Sequence, residues 1–322
     1  MKDGATVWLP YRRNRIPGLP EGLSYGYWDG TGPLPGDPAE VRFLVGPPVP
    51  GAEHLLGRVL PGMRNLEMLQ LLGPGYDHVM PLLHTMPAGT RLATGCEVRR
   101  VATAERAVTL LRALCRGLDR CAGQPSPEEW RPQPYTTLVG KRVLVIGYGA
   151  VGADVAARLG AFRCETVVVA RMARTTPARR VYGAQDLPVL LPTADAVVVC
   201  APLTDQPGGM WGANTLELLK DGALLVHVAP DDPMDTQALV RQVRAGRLRV
   251  ALDATDPWQL PPGHPLRQLP GALITPDAGF GDAFSPASTD FLRRQLHRYA
   301  RGEQLDNVVL TNTRPRTGER AA

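Results

Sequence analysis

The chain has 322 residues, of which 44% are hydrophobic, and this length and composition allow two ordinary domains with separate cores. Its formal charge is +5, but the arginines are dispersed among acidic residues without interleaved aromatic side chains, which argues against a nucleic-acid-binding protein. No apolar run reaches the roughly 20 residues that cross a bilayer, and the N-terminal sequence lacks a signal-peptide pattern. We therefore expect a soluble, cytoplasmic protein that does not bind membranes.

The cysteines give no indication of a metal site or of a disulfide framework. There are five of them, an odd number, and none are arranged in a CxxC spacing. We expect them to be small buried hydrophobic side chains, and we expect no bound metal.

The N-terminal part alternates short strands and helices. Apolar segments bounded by Pro and Gly predict strands at ATVWLPY, VRFLVGP and TRLAT, and a helix near Asn65 to Leu72. Apolar residues at helical spacing then predict an amphipathic helix from Thr103 to Leu118. A Pro-rich stretch, GQPSPEEWRPQPYTTL, follows as a linker or surface arm.

The second half has the pattern of a parallel sheet covered on both faces, because apolar strands alternate with helices. After Phe284 a helix leads to LDNVV and to a polar tail, residues 311–322, which we expect to be disordered. The strands are predicted at VLVIG, ETVVVAR, AVVVCAP, ALLVHVA, LRVALDAT and ALITP.

The strand VLVIG runs into the glycine fingerprint GYGAVG, and a helix follows. Gly147 allows the tight turn, Gly149 lets the backbone approach a pyrophosphate, and Gly152 permits close packing of helix on strand. The helix N-terminus then supplies oriented N–H groups to phosphates. The strand–turn–helix context favours a dinucleotide site over an empty glycine turn. The site is predicted to comprise Gly147, Tyr148, Gly149, Ala150, Val151 and Gly152.

The end of the next strand indicates which dinucleotide is bound. An acidic residue there would bind the ribose hydroxyls of NAD, but this chain has Arg171, with Arg174 and Arg179 behind it. A guanidinium can pair with a 2′-phosphate, so NADP is favoured over NAD. The alternative is that these arginines lie on an exposed loop.

By its motifs the chain resembles the D-2-hydroxyacid dehydrogenases from about Val7 to Val309. The segments that carry the resemblance are GYGAVG, APLTDQPGGMWGANTLELLKDGALLVHVA, MDTQAL, GRLRVALDATDP, GHPLRQLPGALITP and LLGPGYDHV. The resemblance implies an α/β fold in which a Rossmann doubly wound parallel sheet binds the cofactor. This dinucleotide-binding domain, residues 101–285, would be inserted into a smaller flavodoxin-like α/β substrate domain, residues 1–100 and 286–322. It also implies an oxidoreductase that forms a homodimer and takes a small-molecule substrate.

The family's mechanism uses three side chains, and their flanking motifs locate all three positions in this sequence. The arginine that clamps the substrate carboxylate is replaced by Pro230 in HVAPDDPMD. The glutamate that orients the catalytic histidine is replaced by Trp258, and the histidine itself by Asp277. Without clamp and proton donor, ordinary 2-hydroxyacid dehydrogenation should be negligible.

The cofactor-holding residues implied by the resemblance are retained. Asp253 stands where the family's aspartate contacts the nicotinamide amide, with a turn or surface role as the alternative. Aromatic residues near the expected cleft could be packing or a substrate platform. His227 stands where the family usually has Asn, and a structural histidine is the alternative to an acid. The loop Pro202, Leu203 and Thr204 is expected to line the dinucleotide, and the aromatic residues are Tyr76, Trp258, Phe280 and Phe284.

Two classes of function fit this pattern. The first is a repurposed NAD(P)-dependent enzyme acting on a substrate that is not a 2-oxoacid, such as a larger apolar small molecule of specialised metabolism. The second is a non-catalytic NAD(P)-binding or partner-binding protein. The gain of aromatic residues favours the first. Its candidate catalytic groups are Asp277, His227, Tyr76 and the pair Asp231 and Asp232.

Overall fold

The computed structural model describes residues 4, 6–49, 51–73, 75–121, 135–203, 209–229, 232–253, 255, 260–275 and 285–313. The chain divides into two compact units. One comprises Met1–Arg99 together with Gly279–Ala322, and the other comprises Arg100–Ala278. Within the described residues, no helix is both long enough and apolar enough to cross a membrane.

The elements alternate between strands and helices along most of the chain. The strands are β1 (Thr6–Leu9), β2 (Ser24–Tyr27), β3 (Val41–Val45), β4 (Met68–Gln70), β5 (Arg91–Ala93), β6 (Arg142–Ile146), β7 (Glu165–Val169), β8 (Arg174–Thr175), β9 (Arg180–Tyr182), β10 (Ala196–Val199), β11 (Ala223–His227), β12 (Leu248–Leu252), β13 (Ala272–Ile274) and β14 (Val308–Thr311). The α-helices are α1 (Ala52–Val59), α2 (Arg100–Cys115), α3 (Leu118–Cys121), α4 (Ala150–Leu159), α5 (Leu187–Leu190), α6 (Ala213–Glu217), α7 (Thr236–Arg244) and α8 (Pro286–Arg301).

The first unit is a six-stranded sheet in the order β14-β5-β4-β3-β1-β2, parallel except for β14. The order β2-β1-β3-β4-β5 is the flavodoxin-like one, as predicted. One face packs on α8, where the rings of Phe43 and Tyr299 meet edge to face at 5.0 Å between centroids. The other face buries Trp8 and Leu44 against α1.

Two expectations for this unit were wrong. The segment expected as a helix near Asn65 to Leu72 contains strand β4, which is buried and pairs with β3 on one side and β5 on the other. The tail expected to be disordered from residue 311 begins within β14. Asn312 is buried, and its side chain donates to the carbonyl oxygens of Leu83 and Met86 at 3.0 and 3.1 Å. Residues 314–322 lie outside the described residues.

The second unit is an eight-stranded sheet in the order β13-β12-β11-β10-β6-β7-β9-β8, with every neighbouring pair parallel except β8 and β9. Apolar clusters cover both faces, as the continuous apolar strands predicted. Strand β6 lies between β10 and β7, so the chain order reverses beside it. In open α/β sheets ligands bind at the carboxyl ends of the strands at this reversal. The glycine loop follows β6 at that point.

Candidate functional site

Two of the three fingerprint glycines are required by the shape of the loop itself. Gly147 has a φ of +89°, and a Cβ there would lie 2.6 Å from the Ala201 Cβ. A Cβ on Gly152 would lie 1.8 Å from the carbonyl oxygen of Gly147. The loop can therefore turn, and α4 can pack against it, only while both positions are glycine.

Gly149 has a different environment. It precedes α4 as its N-cap residue with a φ of −94°, and a Cβ there would meet no atom within 4 Å. Gly149 and Ala150 are exposed at the N-terminus of α4, and the N-cap residue has no side chain to cap the helix. Open space above the uncapped end of a ten-residue helix fits a pyrophosphate, which needs N–H donors and a close backbone approach. The residues present thus fit the dinucleotide predicted from sequence.

The other predicted cofactor residues lie at the same edge of the sheet. Arg171 follows β7, Pro202 follows β10 and Asp253 follows β12, and the carboxyl ends of parallel strands meet at one edge. Leu203 is buried in the same apolar cluster as Trp211. Thr204 lies outside the described residues.

A buried thiol lies beneath this edge. Cys200 is the residue directly after β10, and burial raises the pKa of its thiol to about 12. Cys200 is therefore a protonated hydrophobic side chain at neutral pH, as expected, and Cys115 is also buried, whereas Cys96 and Cys164 are only partly buried.

Asp253 is fixed by contacts to both carboxylate oxygens. Oδ2 accepts a hydrogen bond from Nη1 of Arg106 at 2.7 Å, and Oδ1 accepts one from the Thr275 hydroxyl at 2.7 Å. The backbone N–H of Asp253 donates to the carbonyl oxygen of His227 at 2.9 Å. The side chains of Arg106 and Asp253 are 26% and 7% exposed, so this ion pair is largely shielded from water. Arg106 is not among the site residues predicted from sequence.

The orientation of α2 explains how Arg106 reaches this edge. At the other end of β12, Arg249 pairs with Asp119 and donates to the carbonyl oxygen of Leu114. Helix α2 thus runs antiparallel to β12, with its first turns at the carboxyl edge. This orientation places a cation next to Asp253.

Arg174 and Arg179 lie on a hairpin, whereas Arg171 lies in the connection before it, and Arg171 and Arg174 are exposed. Strands β8 and β9 pair antiparallel, and β9 continues the sheet beside β7. Arg174 donates from Nη2 to the carbonyl oxygen of Tyr148 at 2.9 Å. The guanidinium carbons of Arg174 and Arg179 lie 5.9 and 6.0 Å from the centroid of the Tyr148 ring. Two arginines of the predicted set therefore contact the glycine loop.

His227 is the last residue of β11 and is 3% exposed. Its Nε2 lies 3.8 Å from Oδ2 of Asp232, which accepts a 2.9 Å hydrogen bond from the indole N–H of Trp211. A separation of 3.8 Å is too long for a hydrogen bond, and among the described residues neither ring nitrogen has a hydrogen-bond partner. His227 is therefore enclosed in the protein beside a buried carboxylate.

The remaining candidates are divided between the first unit and the undescribed segments. Tyr76 lies in the first unit, directly before a 3₁₀ helix (Asp77–Thr85), and is partly buried. The other candidates lie outside the described residues: Pro230, Asp231, Trp258, Asp277, Phe280 and Phe284. The structure thus brings together the glycine loop, Arg174, Arg179, Asp253 and His227 in one unit.

Comparison with known proteins assigns this unit. Residues 108–279 match the family model of the D-isomer specific 2-hydroxyacid dehydrogenase, NAD binding domain. The chain belongs to the D-isomer specific 2-hydroxyacid dehydrogenase family. The resemblance inferred from the motifs is confirmed, and the second unit is the family's NAD(P)-binding domain.

Curated relatives in this family carry several activities. The chain is 31% identical over 225 residues to "Formate dehydrogenase, chloroplastic/mitochondrial" of Arabidopsis thaliana, a match covering 66% of this chain and 57% of the relative. It is 27% identical over 264 residues to "Glyoxylate reductase/hydroxypyruvate reductase" of Homo sapiens, covering 78% and 80%. The match thus spans little more than half the length of the formate dehydrogenase.

Solved structures match almost the whole fold. The TT0316 protein from Thermus thermophilus is 26% identical with a TM-score of 0.69, covering 95% of this chain and 100% of that one. A D-isomer specific 2-hydroxyacid dehydrogenase from Xanthobacter autotrophicus Py2, in complex with NADPH and MES, is 24% identical with a TM-score of 0.76, covering 96% and 98%. The α/β fold predicted from sequence is therefore the family's fold.

Proposed function

We propose that this dehydrogenase-family protein binds NADP(H) in preference to NAD(H). The observation that carries the proposal is the contact of Arg174 with the glycine loop, 2.9 Å from Nη2 to the Tyr148 carbonyl oxygen. The backbone around Gly149 and the N-terminus of α4 would hold the pyrophosphate. The basic hairpin then lies beside the end of β7, where the adenosine ribose of a Rossmann-bound dinucleotide is held.

Charge decides between the two dinucleotides in this proposal. NADP carries a 2′-phosphate that arginine can bind through paired N–H donors, whereas NAD carries a free 2′-hydroxyl that an acidic residue would accept. Position 171 holds a guanidinium and not a carboxylate. Relatives of known structure include the Xanthobacter protein in complex with NADPH and a Sinorhizobium meliloti reductase in complex with NADP.

The test is a fluorescence titration with NADPH and with NADH. We expect the wild type to bind NADPH more tightly than NADH. Arg171→Met and Arg174→Met should each weaken the binding of NADPH without weakening the binding of NADH. Arg180→Met is the matched control, since Arg180 lies on the same hairpin but stacks on Tyr182 at 4.6 Å. Equal or reversed affinities in the wild type would refute the preference.

The second part of the proposal concerns the reaction. We propose a repurposed enzyme whose substrate lacks a 2-oxo-carboxylate, because the flanking motifs assign Pro230, Trp258 and Asp277 to the positions of the family's clamp, orienting acid and proton donor. A bound nicotinamide would supply or accept a hydride. Asp253, held by Arg106 and Thr275, would orient the nicotinamide amide. Retention of this fixed carboxylate supports a site that still positions a cofactor.

One observation favours the alternative, a non-catalytic NAD(P)-binding protein. His227 and Asp232 are 3% and 2% exposed, so two of the candidate acid–base groups are enclosed. A protein that only binds the dinucleotide needs no accessible acid. The homodimer and the cytoplasmic location expected from sequence stay predictions, to be tested by light scattering and cell fractionation.

Mass spectrometry separates the two functions. The protein is incubated with NADPH and a small-molecule extract, with Gly149→Val as the matched control that should not bind the cofactor. A repurposed reductase should convert a compound to a product heavier by two hydrogens, in the wild type alone. If NADPH is retained by the protein and no compound changes, the binding protein is favoured.

A further inference from the structure

The β8–β9 hairpin holds its arginines on a backbone fixed at both ends. Its turn is closed by the Thr176 N–H donating to the carbonyl oxygen of Arg179 at 3.0 Å, while the Thr176 hydroxyl donates to the same oxygen at 2.9 Å. On its other side, β9 pairs with β7, Val168 opposite Val181. The hairpin is therefore an extension of the sheet, and Arg174 and Arg179 start from defined positions.

Tyr148 is the residue on which these two arginines meet. It is the second residue of the fingerprint, and its ring is half-buried against the apolar cluster under α4. Arg174 lies over this ring at 5.9 Å and bonds the residue's carbonyl oxygen, and Arg179 lies over the same ring at 6.0 Å. Distances of about 6 Å are at the outer limit of cation–π attraction. Both guanidinium groups thus lie at the edge of cation–π range of the same ring.

The two guanidinium groups have no counter-ion within the described part of the chain. None of the ion pairs between described residues includes Arg174 or Arg179, and Nε of Arg179 is buried without a hydrogen-bond partner among the same residues. Two cations close to one neutral ring favour a multiply charged anion near them. This arrangement indicates an anionic ligand at the hairpin.

We propose that Tyr148 is a positioning residue for the 2′-phosphate of the dinucleotide. Its ring supports Arg174 and Arg179, and its carbonyl oxygen ties Arg174 to the pyrophosphate loop. This inference rests on the proposed preference for NADP(H). Selectivity between the dinucleotides then depends on a residue of the glycine loop as well as on the arginines.

The physical reason is the conformational freedom of arginine. An exposed arginine side chain loses rotamer freedom when it binds, and an aromatic surface beneath it reduces that loss. Removing the ring should therefore weaken the binding of an anion that needs both guanidinium groups in place. A ligand without the 2′-phosphate makes no use of them.

The test uses 2′,5′-ADP and 5′-AMP, which share the adenosine 5′-phosphate and differ in the 2′-phosphate. Binding is measured by calorimetry on the full chain for the wild type, Tyr148→Phe and Tyr148→Ala. We expect Tyr148→Ala to bind 2′,5′-ADP roughly tenfold more weakly, the scale of losing two exposed cation–π contacts. Its affinity for 5′-AMP should stay unchanged, and Tyr148→Phe, which keeps the ring, should behave as the wild type.

The outcomes separate this inference from the proposed function. If the wild type itself does not prefer 2′,5′-ADP, the proposed NADP preference fails, and this inference with it. If the wild type discriminates and Tyr148→Ala discriminates equally well, only the role of Tyr148 is overturned. Equal weakening of both ligands would also overturn it, because a general defect of the loop would explain that result. Tyr148→Leu, which fills the space without a π face, replaces Tyr148→Ala if the latter does not fold.

Discussion

Gly152 lies directly against the carbonyl oxygen of Gly147, so that a Cβ on Gly152 would be 1.8 Å from that oxygen. Three residues earlier in the chain, a Cβ on Gly149 would meet no atom within 4 Å. Two glycines of the same loop therefore have different roles: Gly152 is required for folding, and Gly149 is required for the approach of the ligand.

Substitutions at these two glycines should have different effects. Gly152→Ala forces the backbone of the loop apart and should lower the free energy of unfolding by about 1–3 kcal/mol, the usual cost of overpacking. Gly149→Val should unfold at the same urea concentration as the wild type, yet fail to bind NADPH or NADH, because its side chain occupies the space above the N-terminus of α4.

Urea unfolding and fluorescence titration of the same two variants check this prediction. The control is Gly160→Ala, at a second glycine where a Cβ meets nothing within 4 Å and which has a φ of −55°. It should bind both dinucleotides as the wild type does. Normal cofactor affinity in Gly149→Val would show that the open space is not the phosphate site.

The Arg106–Asp253 ion pair should contribute measurably to stability. Its side chains are 26% and 7% exposed, so screening by water is limited. A double-mutant cycle with Arg106→Met and Asp253→Asn should give a coupling energy of about 1–3 kcal/mol in urea unfolding. The Arg142–Glu165 pair, also 2.7 Å apart but 35% and 57% exposed, is the control and should couple by less than about 1 kcal/mol. Equal couplings would contradict the shielding of the first pair.

Cys200 should make the fold less stable at alkaline pH. Burial raises its pKa from 9.0 to about 12, so the native state favours the protonated thiol. This contribution is complete below about pH 9 and is lost as pH rises toward 12, with a slope of at most about 1.4 kcal/mol per pH unit. Cys200→Ala should show a shallower decline of unfolding free energy between pH 9 and 11. Burial also raises the pKa of Tyr25 to about 12, but this affects the stability of the wild type and of Cys200→Ala equally. Parallel declines would contradict the prediction.

The sheets could be predicted from sequence where burial leaves a simple pattern. Strand β6 is continuously apolar because both faces are covered, and a glycine turn and helix follow it. Strand β4 is also buried on both faces, but its apolar run has no polar face that would distinguish a strand from a helix. Strand β2 combines Ser, Gly and half-exposed Tyr at the sheet edge, so it gives no apolar signal.

The contacts of the site depend on tertiary proximity and could not be predicted from sequence. Arg106 and Asp253 are 147 positions apart, and nothing in either segment indicates the other. The β8–β9 hairpin is rich in Arg and Thr, a composition that predicts an exposed loop. It forms a strand pair because β9 pairs with the edge strand β7. Composition could have suggested only that a basic segment lies near the glycine loop.

Restoring the family's catalytic residues tests whether the site has decayed or has been reshaped. The triple variant Pro230→Arg, Trp258→Glu and Asp277→His should remain inactive toward glyoxylate and pyruvate. We expect this because Tyr76 and Phe280, the aromatic residues assigned to the cleft from sequence, would exclude or misplace a small oxoacid, and a displacement of about 1 Å can cost 10²-fold in rate. A slow but enzyme-dependent rate, absent from the same triple variant carrying Gly149→Val, would instead favour a decayed, binding-only protein.

We propose that this protein keeps the cofactor domain of the family while its oxoacid chemistry is lost. This claim is tested most directly by following the oxidation of NADPH and NADH with glyoxylate and hydroxypyruvate. The oxidative direction is followed as the reduction of NADP⁺ and NAD⁺ with lactate and glycerate. The human glyoxylate reductase/hydroxypyruvate reductase serves as the positive control. We expect protein that binds NADPH in titration to give no rate above the protein-free background with any of these substrates. Robust turnover of any one of them would contradict the claim and show that Pro230, Trp258 and Asp277 do not occupy the three catalytic positions.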